Sequence, residues 1–324
     1  MSAMRVDGLF QLDDDQSHAV LSLARRATTA DGVTPLSEHV LLHVRHSSGA
    51  SVDAPLSHFL LYDGTQLVGY AHLEHGSGGE PATAEVVVEP DLRRSGAGRT
   101  LVHALLQQAP DLRLWSHGHL EAARAFAARD GFTSVRELWR MKRPLGPEVG
   151  AEPLPEPHLP EGFTVRTFVE GQDEDAWLAV NARAFAHHPE QGRITRADLD
   201  QRFAEDWFDP DGFILVEDPT GRLAAFHWTK VHAHTATPGN GQPSHPPMGE
   251  VYVVGVDPDF QGHGLGRAVT LLGLRHLESL GLAEAMLYVD GDNAAAIATY
   301  TRLGFERAAV DVMYSRAATG GPDA

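Results

Sequence analysis

Hydrophobic positions along the chain follow strand and helix periods in an order that occurs twice. In the first half, "HFLLYDGTQLVGYAHLEH" (58–75) holds two strand-like runs about an Asp63-Gly64 turn. The short apolar run "AEVVVEP" (84–90) predicts a buried strand. A glycine turn, "RRSGAG" (93–98), leads into "RTLVHALLQQA", whose apolar spacing predicts a helix.

The second half repeats this plan with a hairpin at 212–232, a buried strand at 250–258 and the glycine turn "QGHGLG" at 261–266. The halves close on matching segments, "FAARDGF" (126–132) and "YTRLGF" (300–305), at similar distances after their glycine turns. Two matched landmarks in one order indicate a duplicated domain. Each copy is predicted to be a mixed α/β fold, with a sheet flanked by helices.

Proline content sets the predicted domain boundaries. The segment "PLGPEVGAEPLPEPHLP" contains six prolines, and each removes a backbone donor and fixes φ. We therefore predict a first domain at 1–143, a proline-rich linker at 144–161, a second domain at 162–317 and a flexible tail at 318–324.

Composition excludes several classes of function. The formal net charge of −18 over 324 residues disfavours nucleic acid and anionic membrane surfaces. The chain has no cysteine, so disulfides, thiolate nucleophiles and Cys-ligated metals are excluded. No apolar run has the length of a membrane span, and no basic-then-apolar leader begins the chain. We expect a cytoplasmic monomer whose partner is a small molecule.

The alternating glycines indicate an anion site. Gly262, Gly264 and Gly266 precede a predicted helix, and the first half has Gly96 and Gly98 in the corresponding turn. Unpaired N–H groups at a helix start carry partial positive charge, and glycine lets a phosphate approach the backbone. The alternative is a tight strand–helix turn with packing glycines.

The spacing of these turns resembles one family. Arg267 breaks the G-x-G-x-x-G dinucleotide fingerprint, and no P-loop sequence occurs. The pattern Q/R-x-x-G-x-G/A, present at 261–266 and 93–98, resembles motif A of the GCN5-related N-acetyltransferase (GNAT) superfamily. "DNAAAIATYTRLGF" (292–305) resembles its second signature. The resemblance implies two tandem GNAT domains, each with a mixed, mostly antiparallel sheet, and acetyl-CoA as cosubstrate with its pyrophosphate on the turn.

Acetyl transfer to an amine needs a base for the ammonium and an acid for the leaving thiolate. Glu250 begins the strand before the glycine turn and shares a face with Tyr252 and Val254 if the strand alternates strictly. Together with the resemblance, this makes Glu250 the candidate base, the alternative being a solvated strand-end glutamate. The resemblance implies that Tyr300 is the acid, the alternative being a core tyrosine on an amphipathic helix.

The first half lacks this second signature. Ala127 stands four residues before Gly131, where the second half has Tyr300 before Gly304, and no asparagine opens the last helix of the first half. We therefore expect the first domain to be non-catalytic. The resemblance still implies that it binds acetyl-CoA.

Acetyl-CoA contacts carried over from the resemblance fall on both glycine turns and their neighbouring elements. In the first half they are Val86, Val87, Val88, Arg93, Arg94, Ser95, Gly96, Ala97 and Gly98. In the second half they are Val254, Gly255, Val256, Gln261, Gly262, His263, Gly264, Leu265, Gly266, Arg267, Tyr288, Asn293, Ala294, Ala295, Ala296, Ile297 and Ala298.

The acceptor is implied by a closer resemblance, to tandem-domain GNAT enzymes that acetylate the cysteinyl amine of a cysteinyl-glucosaminyl-inositol. It is carried by "AAFHWTKVH" and "GEVYVVGVDPDFQGHGLGRAVTLLGLRHL". Implied substrate contacts are Glu38, Glu190, Lys230 and Glu250, three carboxylates and a lysine that suit a ligand with one ammonium and many hydroxyls. Two alternatives remain open: a tandem GNAT enzyme for another amine, and a non-catalytic acyl-CoA sensor.

One segment departs from the expected length. "HAHTATPGNGQPSHPPMG" (232–249) predicts a flexible hairpin extension between Lys230 and Glu250, and pairing of the flanking strands would still bring these two residues together. We expect no metal site, because the chain's clustered histidines lack carboxylates at ligand spacing. These histidines are His117, His119, His187, His188, His232, His234 and His245.

Overall fold

The computed structural model of the protein describes residues 4–45, 57–76, 79–186, 191–232 and 246–316. These residues form two compact units, one of residues 4–138 with 309–316 and one of residues 139–308. None of the helices in this part of the chain combines the length and the hydropathy needed to cross a membrane.

The strands and helices predicted from the hydrophobic pattern are present in both halves of the chain. In chain order they are β1 (Arg5–Leu9), α1 (Asp14–Asp31), α2 (Glu38–Arg45), β2 (His58–Asp63), β3 (Gln66–Glu74), β4 (Thr83–Val88), α3 (Ala97–Gln108), β5 (Arg113–Ser116), α4 (Glu121–Arg129), β6 (Phe132–Pro144), β7 (Thr164–Thr167), α5 (Glu174–Ala184), α6 (Arg196–Phe203), β8 (Phe213–Glu217), β9 (Leu223–His232), β10 (Met248–Val256), α7 (Leu265–Ser279), β11 (Glu284–Asp290), α8 (Ala294–Arg302) and β12 (Glu306–Arg316).

The two units have the same sheet plan. In the first, the strand order is β1-β2-β3-β4-β5-β12, with β4 and β5 parallel and the other neighbours antiparallel. In the second, the order is β6-β11-β10-β9-β8-β7, with β10 and β11 parallel and β10, β9, β8 and β7 antiparallel in succession. The predicted fold class, a duplicated and mostly antiparallel α/β domain, is confirmed.

The limits of the compact units differ from the predicted domain boundaries at two strands. Residues 309–316 of β12 belong to the first unit, where Val312–Ser315 pair with β5. Residues 139–144 of β6 belong to the second unit. Hydrophobic periodicity locates a strand but does not identify its partner, so the sequence assigned both segments to the nearer domain.

The proline-rich segment contains no helix or strand from 150 to 163, as its prolines predict. Leu145 and Leu154 nevertheless pack into the hydrophobic core of the second unit. The backbone N–H of Leu145 also donates to the carbonyl of Ala283 at 2.8 Å. The segment is therefore anchored along the second unit.

His227 lies inside the second unit, under helix α7. A Cβ atom at Gly273 would lie 2.1 Å from the His227 ring, so glycine is required where the helix crosses the histidine. The ring Nδ1 donates to the carbonyl of Val269 at 2.9 Å. Burial lowers the pKa of His227 to about 4, although the Val269 carbonyl opposes this shift.

This buried histidine predicts an acid-sensitive second unit. Between pH 6.5 and 4 the unfolded chain binds a proton at position 227 that the folded chain does not, so stability falls as pH falls through this window. The shift corresponds to a loss of about 3 kcal/mol. Urea unfolding of the wild type and of His227→Gln at pH 7 and pH 4.5 should show a smaller pH effect in the variant. An exposed control, His158→Gln, should behave as the wild type does, and equal pH effects in all three proteins would contradict the assignment.

Candidate active site

The glycine turn of the second unit leaves its backbone open. Strand β10 ends at Val256, and α7 begins at Leu265 with Gly264 as its N-cap. Gly262 and Gly264 have φ of 83° and 78°, and a Cβ at either position would meet no atom within 4 Å. The backbone at the start of α7 is therefore open, and anion binding by its N–H groups stays a prediction.

A cavity of about 420 Å³ lies along this turn. Its lining includes these residues predicted to contact acetyl-CoA: Val254, Gly255, Val256, Gln261, Gly262, Gly264, Leu265, Gly266, Ala295 and Ala296. β10 pairs with the parallel strand β11 over Gly249–Val251. The cavity lies beside the later residues of β10, Val254–Val256, beyond this pairing. The volume suits a ligand of drug-like size.

The sequence did not predict five of the lining residues, which are Ala184, Phe185, Phe260, Thr270 and Thr299. Ala184 ends α5 and Phe185 is its C-cap, far from the glycine motif along the chain. No local signal in α5 indicates a ligand. Only the packing of α5 on β9 and β10 places its end at the cavity.

Several predicted contacts lie outside the cavity lining. The Asn293 side chain accepts from the N–H of Ala296 at 3.1 Å and caps α8. Tyr288 is 41% exposed on β11. Arg267 and His263 are exposed beside the turn, with His263 Nδ1 3.0 Å from the Gln261 carbonyl. For these residues, and for Ala294, Ile297 and Ala298, contact with the cosubstrate stays a prediction.

Tyr300 lines the cavity from helix α8. Its ring packs edge-on against Phe305, with 5.9 Å between ring centroids. Burial raises the pKa of Tyr300 to about 12, so its hydroxyl is protonated at neutral pH. A protonated hydroxyl at this place is able to donate a proton to a leaving thiolate.

Glu250 and Lys230 meet across two strands, as predicted from the hairpin. The antiparallel register of β9 and β10 places them directly opposite each other, and both are buried. The Lys230 ammonium lies 4.4 Å from the centroid of the Trp207 ring and 5.2 Å from that of Tyr252. Such cation–π contacts hold the lysine in place.

A bulge interrupts the predicted alternation of β10. The register shifts between Val251 and Val253, which leaves Tyr252 as the extra residue. The Tyr252 ring still reaches Lys230, so it lies on the Glu250 side. Its hydroxyl accepts from Nε of Arg202 at 2.8 Å.

His232 is the site residue that the sequence did not predict in this role. Its Nε2 lies 2.7 Å from Oε2 of Glu250. The remaining part of the predicted hairpin extension falls largely outside the described residues, with His234 and His245. Glu190, His187 and His188 also lie outside them.

Glu38, the remaining predicted substrate contact, belongs to the first unit as the first residue of α2. The preceding N–H, of Ser37, donates to Oε2 of Glu85 at 2.6 Å. Glu85 in turn lies beside His117, with Oε2 3.4 Å from Nε2. The start of α2 is therefore fixed by a buried carboxylate.

His117 lies between two carboxylates rather than in a local histidine cluster. Its Nδ1 is 3.1 Å from Oδ2 of Asp311, and Oδ1 of Asp311 accepts from the N–H of Gly118 at 2.7 Å. Burial opposes the charge on His117, but Glu85 and Asp311 outweigh it and raise the pKa of His117 to about 10. The sequence did not predict this cluster, because Asp311 is in the last strand.

The first unit has the same open turn. Gly96 caps α3 with φ of 99°, and a Cβ there would meet nothing within 4 Å. Arg93 forms a two-pronged ion pair with Asp31, at 2.6 and 2.7 Å. Val86–Val88 end β4 just before this turn. Binding of acetyl-CoA here stays a prediction.

Comparison with known proteins identifies the class to which this fold and site belong. The model of the acetyltransferase (GNAT) family matches residues 20–132 and 177–305. A tandem GNAT protein from the clavulanic acid biosynthesis pathway covers 99% of this chain and 100% of its own, with a TM-score of 0.71 at 20% identity. A GCN5-related N-acetyltransferase from Sphaerobacter thermophilus has a TM-score of 0.64 at 23% identity, with 99% and 98% covered. The chain belongs to the GNAT acetyltransferase family.

Within this family the similarity is much closer to one kind of enzyme. The mycothiol acetyltransferase of Kytococcus sedentarius is 51% identical over 94% of this chain and 95% of its own length. That of Streptomyces coelicolor is 50% identical, with 95% and 94% covered. The chain is thus a member of the mycothiol acetyltransferase group, and both predicted resemblances are confirmed.

Proposed function

We propose that the protein transfers the acetyl group of acetyl-CoA to the cysteinyl amine of 1D-myo-inositol 2-(L-cysteinylamino)-2-deoxy-α-D-glucopyranoside, the last step of mycothiol formation. The observation that carries the proposal is the cavity of the second unit, where an open helix start and Tyr300 line one space. The mycothiol acetyltransferases at about half identity support the choice of acceptor.

The cosubstrate would lie along Val254–Val256, with its pyrophosphate on the start of α7. The N–H groups of this turn and the partial positive charge of the helix would neutralise the phosphates. The open side of β10 would hold the pantetheine part by backbone hydrogen bonds. The thioester would then lie toward Tyr300.

Glu250 would remove the proton from the acceptor ammonium, directly or through water, so that the neutral amine attacks the thioester carbonyl. Lys230, opposite Glu250, would orient the acceptor's hydroxyls. Tyr300 would protonate the departing thiolate. Glu38 stays a predicted acceptor contact, and the first unit would carry out no transfer, since buried Ala127 of α4 replaces the acid.

Tyr300→Phe should lower kcat and leave acetyl-CoA affinity unchanged, because the ring packing is kept and only the proton donor is lost. Loss of one general acid costs about 10²-fold or more in rate. Steady-state thiol release and equilibrium binding of acetyl-CoA give the two quantities. A Tyr300→Phe enzyme with the wild-type kcat would remove Tyr300 from the mechanism, and Phe305→Tyr would control for altered packing of this ring pair.

The acceptor is tested by thiol release from acetyl-CoA with the cysteinyl-glucosaminyl-inositol and with a panel of amines that includes aminoglycosides and peptide N-termini. Saturable turnover with the first acceptor alone supports the proposal. Higher kcat/KM with another amine would instead support a tandem GNAT enzyme of different specificity. Binding of acetyl-CoA without turnover on any amine would support an acyl-CoA sensor.

A further inference from the structure

The Glu250 carboxylate has a histidine partner, His232, on the neighbouring strand β9. His232 ends β9 two residues after Lys230, so both side chains leave the same face of the strand. The register of β9 and β10 pairs Lys230 with Glu250 and His232 with Met248. This places Nε2 of His232 2.7 Å from Oε2 of Glu250, a short hydrogen bond.

The two partners differ in their access to solvent. The Glu250 side chain is 8% exposed, whereas that of His232 is 38% exposed. A base that takes one proton in each turnover must release it before the next cycle. The imidazole of His232, hydrogen-bonded to Glu250 and partly exposed, gives this proton a route to solvent.

The other polar groups near Glu250 are less suited to this transfer. Lys230 faces Glu250 from β9, and an ammonium donates protons but has no lone pair to accept one. Tyr252, on β10, has its hydroxyl bonded by the guanidinium of Arg202 from α6, which is not deprotonated in proteins. From β11 the residue paired with Glu250 is the apolar Met286. Imidazole is the group that both accepts and releases protons near neutral pH.

We propose that His232 is a positioning residue that orients the Glu250 carboxylate and passes its proton to solvent. The inference rests on the proposed role of Glu250 as the base. The ammonium of the acceptor gives a proton to Glu250, and the resulting carboxylic acid gives one from Oε2 to the unprotonated Nε2 of the Nδ1–H tautomer of His232. The imidazolium then loses its Nδ1 proton to water, which leaves the ionised carboxylate accepting from Nε2–H. Because the ring reaches solvent, it returns to the Nδ1–H tautomer by proton exchange with water before the next turnover.

The test compares His232→Ala and His232→Gln with the wild type, and His158→Ala, an exposed histidine of the same unit, serves as the matched control. Both variants at 232 should lower kcat/KM by roughly 10- to 100-fold, less than loss of a direct acid–base group, which reaches 10⁴-fold. Imidazole added to the buffer should restore much of the rate of His232→Ala. It should leave Glu250→Gln unchanged, because that enzyme lacks the group that imidazole would serve.

Rescue by imidazole separates proton transfer from a merely structural role, which a small molecule in solution would not replace. Equal kcat/KM in the wild type and both His232 variants would overturn the proposal. So would a loss of rate that imidazole does not restore, provided that both variants keep the wild-type melting temperature. His232→Gln keeps a hydrogen-bond donor of similar reach, so it guards against a variant that fails to fold.

Failure of the proposed function is distinguishable from failure of this inference. If the protein acetylates a different amine, the same comparison is run with that amine, and the inference is judged on the result. If no amine is acetylated, histidine side-chain ¹H–¹⁵N spectra decide. The Nε2 signal of His232 should move on Glu250→Gln while that of His158 stays, and an unmoved signal would overturn the pairing.

Discussion

Glu250→Gln is expected to lower kcat/KM for the cysteinyl acceptor by about 10²- to 10⁴-fold, the usual contribution of a general base. Glutamine keeps the shape of the side chain and a carbonyl acceptor but does not take up a proton. Glu250 is buried in β10, opposite Lys230 of β9. These two strands contain no second carboxylate that could replace it. Acetyl-CoA affinity should be unchanged, because the cavity lining does not include Glu250.

The matched control is Glu306→Gln, an exposed glutamate at the start of β12. It loses the same charge outside the site and should keep wild-type kinetics. Raising the pH should not fully restore the kcat/KM of Glu250→Gln. Deprotonation of the amine in bulk water supplies a neutral nucleophile but does not orient it in the site. Wild-type kcat/KM in Glu250→Gln at neutral pH would show that the base is another group or water alone.

Gly264→Asp is expected to raise the dissociation constant for acetyl-CoA by roughly 5- to 1000-fold. This range corresponds to a repulsion of about 1 to 4 kcal/mol between the new carboxylate and one phosphate charge about 4 Å away. Gly264 has φ of 78° and caps α7, so a carboxylate there would lie where the pyrophosphate is proposed to bind. Aspartate is among the side chains that tolerate this left-handed backbone best, which limits the structural cost.

Two companion variants separate charge from strain. Gly264→Asn adds nearly the same volume without charge and should weaken acetyl-CoA binding much less. Gly281→Asp adds the charge at a turn with φ of 74° just after α7, outside the cavity lining, and should leave the affinity unchanged. Equal affinities for Gly264→Asp and the wild type would show that the cosubstrate does not use the start of α7.

Local sequence signals located the glycine turn and the meeting of Lys230 with Glu250. Glycine adopts positive φ at little cost, so the alternating glycines indicated an irregular turn before the helix. Gly262 and Gly264 do have positive φ in the structure. The Lys230–Glu250 pair was expected if the strands on either side of the hairpin extension paired, and the observed register places the two residues opposite each other.

Features that depend on packing between distant segments were not predictable in this way. The pairing of Val312–Ser315 with β5 brings Asp311 to His117, which lies far earlier in the chain. The end of α5 reaches the cavity only because that helix packs on β9 and β10. His232 was predicted to begin the flexible hairpin extension. In the structure it is the last residue of β9 and forms a hydrogen bond with Glu250.

The most direct test of the account compares two acceptors that differ only in the cysteinyl group. Thiol release from acetyl-CoA is followed with cysteinyl-glucosaminyl-inositol and with glucosaminyl-inositol, and the products are examined by mass spectrometry. We expect saturable release with the first acceptor, one acetyl group on its cysteinyl nitrogen, and no turnover above background with the second. Equal turnover on both acceptors, or acetylation of the glucosamine nitrogen, would contradict it.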